Sequence, residues 1–569
     1  MNVFRVTNRS AWLLAAVISV IVPGLLPGCA RRSPATTALR LAQRKAAETK
    51  DADQKLVLLT RIGAELLRRN PPQGKAVLSE ARQMALGKSK AGPTARLYAI
   101  SQRAYGLARL DRRSAPAILS QAIEDAERVY PITRWHEGSG GDGPIAPPLG
   151  LIDSASRQYA SVLAALAAYD PDLALRDAKR LAHERRKDAL AGIADSIAGT
   201  DLPRAIRVMQ AALEAPSPPL GWLEWRKLCI AAAHRTPRDA LVLARKRLPW
   251  PEEYAQVLEA AVAWLAHKDP RAAQDVIAHE TDAVMRASGW LALAHVSEGK
   301  ARASAVRRAG ETLAHAKVTD AARSTAVTEW CLLAVMAHPP TLAKQYLDAA
   351  EAAQHAPPLP YERGMIMAAA CYVDPATAMT IHHQLMVKRR TGPNRRSADT
   401  VLEFANPIVA RVDVGAAEGV ITEAPDWARY GPAAAQLASV AVQTLLLDGK
   451  ASARQLMRAA QHELEAQERR VHDGSAAYGE ESELPEAMQA VARGLAAVGD
   501  VAGAMRLAGQ IRDPAAAGEA YLSIAMLAEP QPAVHWDAYY ALQSLAWPLR
   551  ALAAPYEPEV RGPGRPAAH

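Results

Sequence analysis

The stretch that decides the fold is residues 254–286, YAQVLEAAVAWLAHKDPRAAQDVIAHETDAVMR. Apolar residues recur at steps of three and four in its first half, which predicts an amphipathic helix. Asp269-Pro270 then interrupts the pattern. Asp is a favoured helix N-cap, and Pro suits the first helical position because it has no N–H to leave unpaired. A second helix follows with Ala273 and Ile277 on one face, so the stretch predicts a helical hairpin with a tight turn.

The same turn motif, a capping residue followed by Pro, recurs along the chain. The stronger examples are Asn70-Pro71, Asp170-Pro171, Thr236-Pro237, Asp269-Pro270, Asp374-Pro375 and Asp513-Pro514. The weaker ones are Asp201-Leu202-Pro203, His338-Pro339-Pro340, Asp413-Val414, Asp448-Gly449 and Gly499-Asp500. From Asp170 the next three turns follow after 31, 35 and 33 residues. A small residue after the turn would let the two helices of a hairpin approach closely. Five of the turns are followed by such an alanine: Ala174, Ala205, Ala240, Ala273 and Ala378.

A unit of two helices repeating at this period resembles tetratricopeptide-like solenoids, and HEAT-like units are slightly longer. The resemblance is to the architecture only, because no copy holds all the Trp, Gly, Tyr and Ala landmarks of a standard tetratricopeptide unit. Aromatics are 5% of the chain, and most of its apolar residues are Ala, Leu and Val, which favour helices. We therefore predict an all-α protein whose residues 51–549 form an α-solenoid, a superhelical stack of about a dozen helical hairpins. So many short hairpins with tight turns argue against closure into a ring.

The N-terminus has the features of a secretory signal peptide. Arg5 and Arg9 form a basic start, and an uncharged apolar run of 16 residues extends from Ala11 to Leu26. The run is slightly short for a membrane-spanning helix. We predict a signal peptide over residues 1–28.

The segment Leu26-Pro27-Gly28-Cys29 resembles the lipobox of bacterial lipoproteins, although Pro27 departs from the small or β-branched residue usual there. The resemblance implies that the thiol of Cys29 receives a diacylglycerol, that the signal is cut before it, and that residues 29–50 form a lipid-anchored tether and first helix. The protein would then face the periplasm or exterior from the cell membrane or outer membrane. An uncleaved signal anchor and simple secretion are the alternatives.

The net charge is +9, and removal of residues 1–28 takes away Arg5 and Arg9 and leaves +7. This excess is compatible with anionic surfaces such as phospholipid headgroups or cell-wall polymers, or with an ordinary solvated surface. No dense Lys/Arg run interleaved with aromatics occurs, so we expect no nucleic-acid partner.

Two stretches interrupt the repeats. Residues 135–150 are rich in Gly and Pro and predict a surface loop, and residues 469–485 predict an acidic loop. The tail, residues 550–569, is predicted to be disordered.

Cysteines and tryptophans are interpreted mainly as core. Cys229 and Cys331 each lie in an apolar run eight residues before a Pro, and with Cys371 they make three thiols that cannot all pair. We expect buried free thiols, with a disulfide or a reactive thiol as the alternative.

Three tryptophans lie inside apolar helices and are predicted to be core residues: Trp264, Trp290 and Trp330. Trp222, Trp225 and Trp250 lie nearer hairpin ends, where ligand stacking is the alternative.

No catalytic or cofactor motif is complete. Gly87-Lys88-Ser89 has Arg82 where a phosphate-binding loop needs Gly. His136-Glu137 and His279-Glu280 lack the second His of a zinc-protease helix, and the adjacent His382 and His383 point about 100° apart on a helix. We therefore predict no catalytic residue, no metal and no cofactor.

The predicted function is a membrane-tethered interaction scaffold that binds protein or peptide partners in the cell envelope. The alternative is an envelope polysaccharide lyase or hydrolase built on an α/α toroid.

Overall fold

The computed structural model describes residues 33–87, 90–129, 149–181, 183–214, 221–297, 299–314, 360–391, 395–424, 431–447, 449–475 and 480–528, with short pieces between 344 and 351. The helices in these ranges are α1 (Pro34–Glu48), α2 (Ala52–Arg69), α3 (Pro71–Leu86), α4 (Pro93–Leu110), α5 (Ala115–Val129), α6 (Leu149–Ala167), α7 (Pro171–Ala178), α8 (His183–Ala198), α9 (Leu202–Leu213), α10 (Gly221–Ala233), α11 (Pro237–Arg247), α12 (Pro251–Lys268), α13 (Pro270–Ala278), α14 (Ala283–Val296), α15 (Gly299–Ala314), α16 (Pro360–Val373), α17 (Pro375–Thr391), α18 (Arg395–Val409), α19 (Val414–Thr422), α20 (Ala433–Leu446), α21 (Lys450–His472), α22 (Glu480–Ala497), α23 (Val501–Gln510) and α24 (Pro514–Leu527). No strand occurs within these ranges, so the predicted all-α class is confirmed.

Several predicted segments lie outside the described residues. They are the signal peptide 1–28, the lipidation site Cys29, nearly all of the loop 135–150 and the tail 550–569. In the described part of the chain no helix is long and apolar enough to cross a membrane.

The predicted turns are helix N-caps. A side-chain oxygen accepts a backbone N–H of the following helix at Asn70, Asp170, Asp201, Asp269, Asp374, Asp413, Asp500 and Asp513. Asn70 and Asp269 each end one helix and cap the next, so these hairpins turn on a single residue. Thr236 differs, because its hydroxyl donates to the carbonyl of Ala232 at 3.3 Å and does not cap α11.

A small residue lies four positions after each of these turns. The five predicted alanines are all 0% exposed, and the same position holds Ala417, Ala504, Ala517 and Gly74. At Gly74 an added Cβ would lie 2.3 Å from the backbone nitrogen of Leu67 on the preceding helix. The second helix of each pair therefore crosses the first at close range, as the sequence predicted.

The helices are packed in pairs and form two layers. Even-numbered helices pack each on the next in one row, from α2 to α14 and again from α16 to α24. Odd-numbered helices cover the row, each lying on its even-numbered neighbours, and pack on one another closely only at α3–α5 and α19–α21 among the described helices. The core is a continuous apolar layer between them, built largely from buried Ala and Leu.

The first and last described helices are in contact. α24 packs extensively along α1 and also touches α2. Arg61 on α2 forms an ion pair with Glu519 on α24, and Arg69 donates to the carbonyl of Ala525 at 2.9 Å. The described helices thus form one series of contacts that runs from α16 through α24 to α1 and on to α15. The sequence argued against closure of the stack and did not anticipate this packing of α24 on α1.

The acidic stretch 469–485 is mostly helical, contrary to the prediction of a loop. α21 continues to His472 and α22 begins at Glu480, so the connection is confined to residues 473–479. Glu480, Glu481 and Glu483 occupy the first turn of α22, where negative charge interacts favourably with the exposed N–H groups of the helix. Arg470 on α21 donates to both Glu480 oxygens, at 3.2 and 3.0 Å, and to Glu463 at 3.1 Å.

Candidate functional site

Three helices bring their ends together at one edge of the two layers. They are the start of α10, the end of α11 and the start of α12, which all pack on one another. The connection between α11 and α12 is short, because α11 ends at Arg247 and α12 begins at Pro251, with Trp250 directly before it. Trp250 makes no side-chain cap hydrogen bond, because an indole offers a donor and no acceptor for the N–H groups of α12.

The two outer tryptophans of this edge pack edge to face. The ring centroids of Trp222 and Trp250 are 5.1 Å apart at an interplanar angle of 78°. Trp250 is 48% exposed, whereas most large apolar side chains in the described ranges are buried. Its aromatic face is therefore available at the surface and is held in position by Trp222.

Trp225 does not take part in such a surface, contrary to the ligand-stacking alternative. It is 6% exposed, and the guanidinium carbon of Arg247 lies 4.6 Å from its ring centroid. Arg247 thus covers Trp225 through a cation–π contact and is itself half-buried.

A buried ion pair fixes α10 to α12 beneath the tryptophans. Arg226 donates from Nη1 to Glu253 Oε2 at 2.7 Å, and the side chains are only 2% and 8% exposed. The guanidinium carbon of Arg226 also lies 5.6 Å from the Trp222 ring centroid. Removing one partner of such a pair leaves an uncompensated buried charge and costs about 3–5 kcal/mol. The pair therefore holds the Trp222 side of this edge rigid.

A second polar network fixes α11 to the segment that follows α13. Arg245 donates from Nη2 to both oxygens of Glu280, each at 2.8 Å, and the Tyr254 hydroxyl donates to Glu280 Oε1 at 2.6 Å. Burial, followed by the hydrogen bond with the Glu280 carboxylate, raises the pKa of Tyr254, so the hydroxyl stays protonated. Arg245 is half-exposed and lies over the Tyr254 ring, 5.4 Å from the centroid.

We call Trp222, Arg245, Arg247 and Trp250 the tryptophan–arginine patch. It combines one exposed aromatic ring with two arginines at the end of α11 that are oriented by their own contacts, Arg245 by Glu280 and Arg247 by Trp225. Trp and Arg are the side chains most enriched among residues that dominate protein–protein binding. Sequence reasoning singled out the tryptophans but missed Arg226, Arg245 and Arg247, although a charge inside the apolar run of α10 was a visible signal for Arg226.

The other sequence candidates are dispersed. Trp290 is buried and Trp264 is half-buried, each with a cation over its ring, and Trp330 lies outside the described residues. His382 is buried while His383 is exposed, and burial lowers the pKa of His382. His279 contacts the carbonyl of Asp275 through Nδ1 at 2.6 Å. Within the described ranges no group of three or more His, Cys, Asp or Glu side chains is placed to hold a metal ion.

Of the cysteines, Cys229 is fully buried and Cys371 is half-buried, and both are free thiols. Burial raises the pKa of each thiol to about 12. The prediction of a buried free thiol is confirmed for Cys229 and holds in part for Cys371. Cys331 lies outside the described residues.

Comparison with known protein families and with curated proteins finds no match to this chain.

Proposed function

We propose that this protein is an interaction scaffold, an α-solenoid that binds a protein or peptide partner at the tryptophan–arginine patch. The observation that carries the proposal is the half-exposed ring of Trp250, held edge to face by Trp222 and preceded along the chain by Arg245 and Arg247 at the end of α11. Rigid aromatic side chains lose little conformational entropy on binding. The neighbouring arginines favour an acidic partner.

The two-layer packing supports the solenoid. Even-numbered helices pack closely in their row while odd-numbered helices mostly lie apart, which is the difference expected of the inner and outer layers of a curved array. Such an array displays an extended surface whose exposed positions can vary without disturbing the core.

We further propose that the scaffold is lipid-anchored through Cys29 after removal of residues 1–28, and that it faces the periplasm or exterior. Pro34, the first residue of α1, lies five positions after Cys29. A chain of that length spans at most about 17 Å, so α1 would be held close to the membrane surface. Labelling with palmitate should mark the wild type, and Cys29→Ala should abolish both the label and fractionation with membranes. Equal labelling of both would contradict the anchor.

The binding proposal is tested by crosslinking and pull-down from native membranes. The Trp250→Ala variant should lose the partners that wild type captures. Leu110→Ala, which removes another exposed apolar side chain on α4, should keep them. Capture should also weaken as salt is raised if the arginines contribute. Identical partner sets for wild type and Trp250→Ala would contradict binding at this patch.

A second candidate is an envelope polysaccharide lyase or hydrolase on an α/α toroid. The observation that favours it is the packing of α24 on α1, which is the kind of contact that closes a ring of helical hairpins. An activity screen on envelope polysaccharides distinguishes the two. Turnover abolished by a single carboxylate or His substitution would favour the enzyme over the scaffold.

A further inference from the structure

A cleft of about 470 Å³ lies between α7, α8 and α9, apart from the tryptophan–arginine patch. Five cationic side chains line it: Lys179, Arg186, Lys187, Arg204 and Arg207. Its floor is apolar and includes Leu175, Leu190 and Val208. Among the described residues no carboxylate lines the cleft.

The helical spacing of these residues places several of the cations on the helix faces that border the cleft. On α9, Arg204, Arg207 and Ala211 recur at steps of three and four and share one face. On α8, Arg186 and Leu190 are four apart and share another. Because α8 packs against both α7 and α9 while those two do not pack closely on each other, the faces border one open space.

Three of the five cations, Arg186, Lys187 and Arg204, already interact with protein groups. Arg204 donates to Asp172 at 2.6 Å, and Arg186 donates from Nη2 to the carbonyls of Lys179 and Leu181 at 2.8 and 3.1 Å. The Nε of Arg186 is buried and has no hydrogen-bond partner in the described part of the chain.

Lys179 and Arg207 are the cations best placed to contact a ligand. Both side chains are exposed, and no ion pair within 4 Å joins either of them to another described residue. Like charges close together raise the electrostatic energy of the cleft, and a bound anion would lower it.

We propose that this cleft binds an organic phosphomonoester. A phosphomonoester carries close to two negative charges at neutral pH and several acceptor oxygens, which suits several cations better than a single carboxylate does. The apolar floor would contact the carbon skeleton of the ligand. The cleft shares no residue with the tryptophan–arginine patch, so this proposal goes beyond the proposed scaffold function and can fail independently of it.

The test measures binding by calorimetry with the full chain in a nonionic detergent. Glycerol 3-phosphate is the free probe, and phosphatidic acid in mixed micelles of the same detergent is the lipid probe, so both present the same phosphomonoester group. The double variant Lys179→Ala/Arg207→Ala should bind at least one probe about 10- to 100-fold more weakly than wild type, because a hydrogen bond to a charged group contributes about 1.5–3 kcal/mol. Loss restricted to phosphatidic acid would identify a lipid headgroup, and loss for both would identify a free organic phosphate.

The matched control is Arg454→Ala/Arg458→Ala, which removes two exposed cations from α21. It should bind both probes as wild type does. Circular dichroism should show that Lys179→Ala/Arg207→Ala unfolds at or above the wild-type temperature, since it relieves repulsion among cations. Failure of wild type to bind either probe, or equal weakening in the two double variants, would overturn the proposal.

Discussion

Gly74 lies where α3 crosses the backbone of α2, and its missing side chain is what permits the crossing. A Cβ there would lie 2.3 Å from the nitrogen and 2.4 Å from the Cα of Leu67, atoms that cannot rotate away. Ala has a helix propensity about 1 kcal/mol better than Gly, but overpacking against backbone costs about 1–3 kcal/mol. We predict that Gly74→Ala lowers the free energy of unfolding, measured by urea denaturation followed by circular dichroism.

Gly419 on α19 provides the matched comparison. The nearest atom to an added Cβ there is Oε1 of Glu423 at 3.7 Å, an ordinary contact. Gly419→Ala should therefore raise stability by up to about 1 kcal/mol through helix propensity alone. A shift of both variants in the same direction would show that close packing at Gly74 is not the deciding term.

Cys229 gives a residue-scale prediction about pH. Burial, aided by the negative charge of Asp195, raises the pKa of its thiol to about 12. An unfolded cysteine thiol has a pKa of about 8.5. The unfolded state therefore releases a proton first, and the stability contributed by the buried neutral thiol is complete below that pH and is lost as pH rises toward 12.

The free energy of unfolding of wild type should consequently fall more steeply between pH 8 and pH 10 than that of Cys229→Ala. The difference should reach about 1–2 kcal/mol at pH 10. In the native state below pH 8 the thiol should also react slowly with a thiol reagent. Parallel stability curves for the two proteins would contradict the burial account.

Helix caps can be tested at the scale of single elements. Asp413 caps α19 by accepting the N–H of Ala416 at 3.0 Å, whereas the Thr236 hydroxyl makes no cap to α11. Asp413→Ala should cost about 0.5–2 kcal/mol, and Asp413→Asn should retain most of the cap. Thr236→Ala should cost less than Asp413→Ala in the same thermal unfolding experiment. An equal cost for Asp413→Ala and Asp413→Asn would indicate lost charge, and not the cap, as the cause.

The sequence predicted these hairpins because their signals are local. A cap, a Pro at the first helical position and a small residue four positions after the cap all fall within one turn of helix. The same local reading failed at residues 469–485, where it took acidic residues as a loop. The ion pairs from Arg470 to Glu463 and Glu480 stabilise the two helix ends, and they depend on how α21 and α22 pack.

In the candidate site, too, the sequence predicted what depends on local signals and missed what depends on helix packing. Trp222 and Trp250 could be singled out from their places near hairpin ends, but their contact depends on how α10, α11 and α12 pack. Arg226 and Glu253 are 27 residues apart, and nothing in the spacing predicts that they meet. Trp225 could not be recognised as buried from the sequence, because Arg247 covers its ring from the neighbouring helix.

At the scale of the whole molecule, the contact of α24 with α1 and α2 joins residues more than 450 positions apart. No repeat period could predict it, because α1 precedes the first recognisable turn and pairs with a helix at the other end of the chain. Its consequence is that the stability of α1 and α2 depends on α24. Local opening of one should therefore expose the others.

A charge swap tests this dependence without deleting a helix. Arg61 on α2 and Glu519 on α24 form the ion pair that links the two, and Glu519 is the more buried partner. Glu519→Lys places two cations together, so hydrogen exchange of α1, α2 and α24 should accelerate together while that of α12 stays unchanged. Adding Arg61→Glu restores opposite charges and should recover most of the protection, since exposed or half-exposed pairs contribute about 0.2–1 kcal/mol. If Glu519→Lys accelerates exchange in α24 alone, the first and last helices open independently and the contact between them does not stabilise the array.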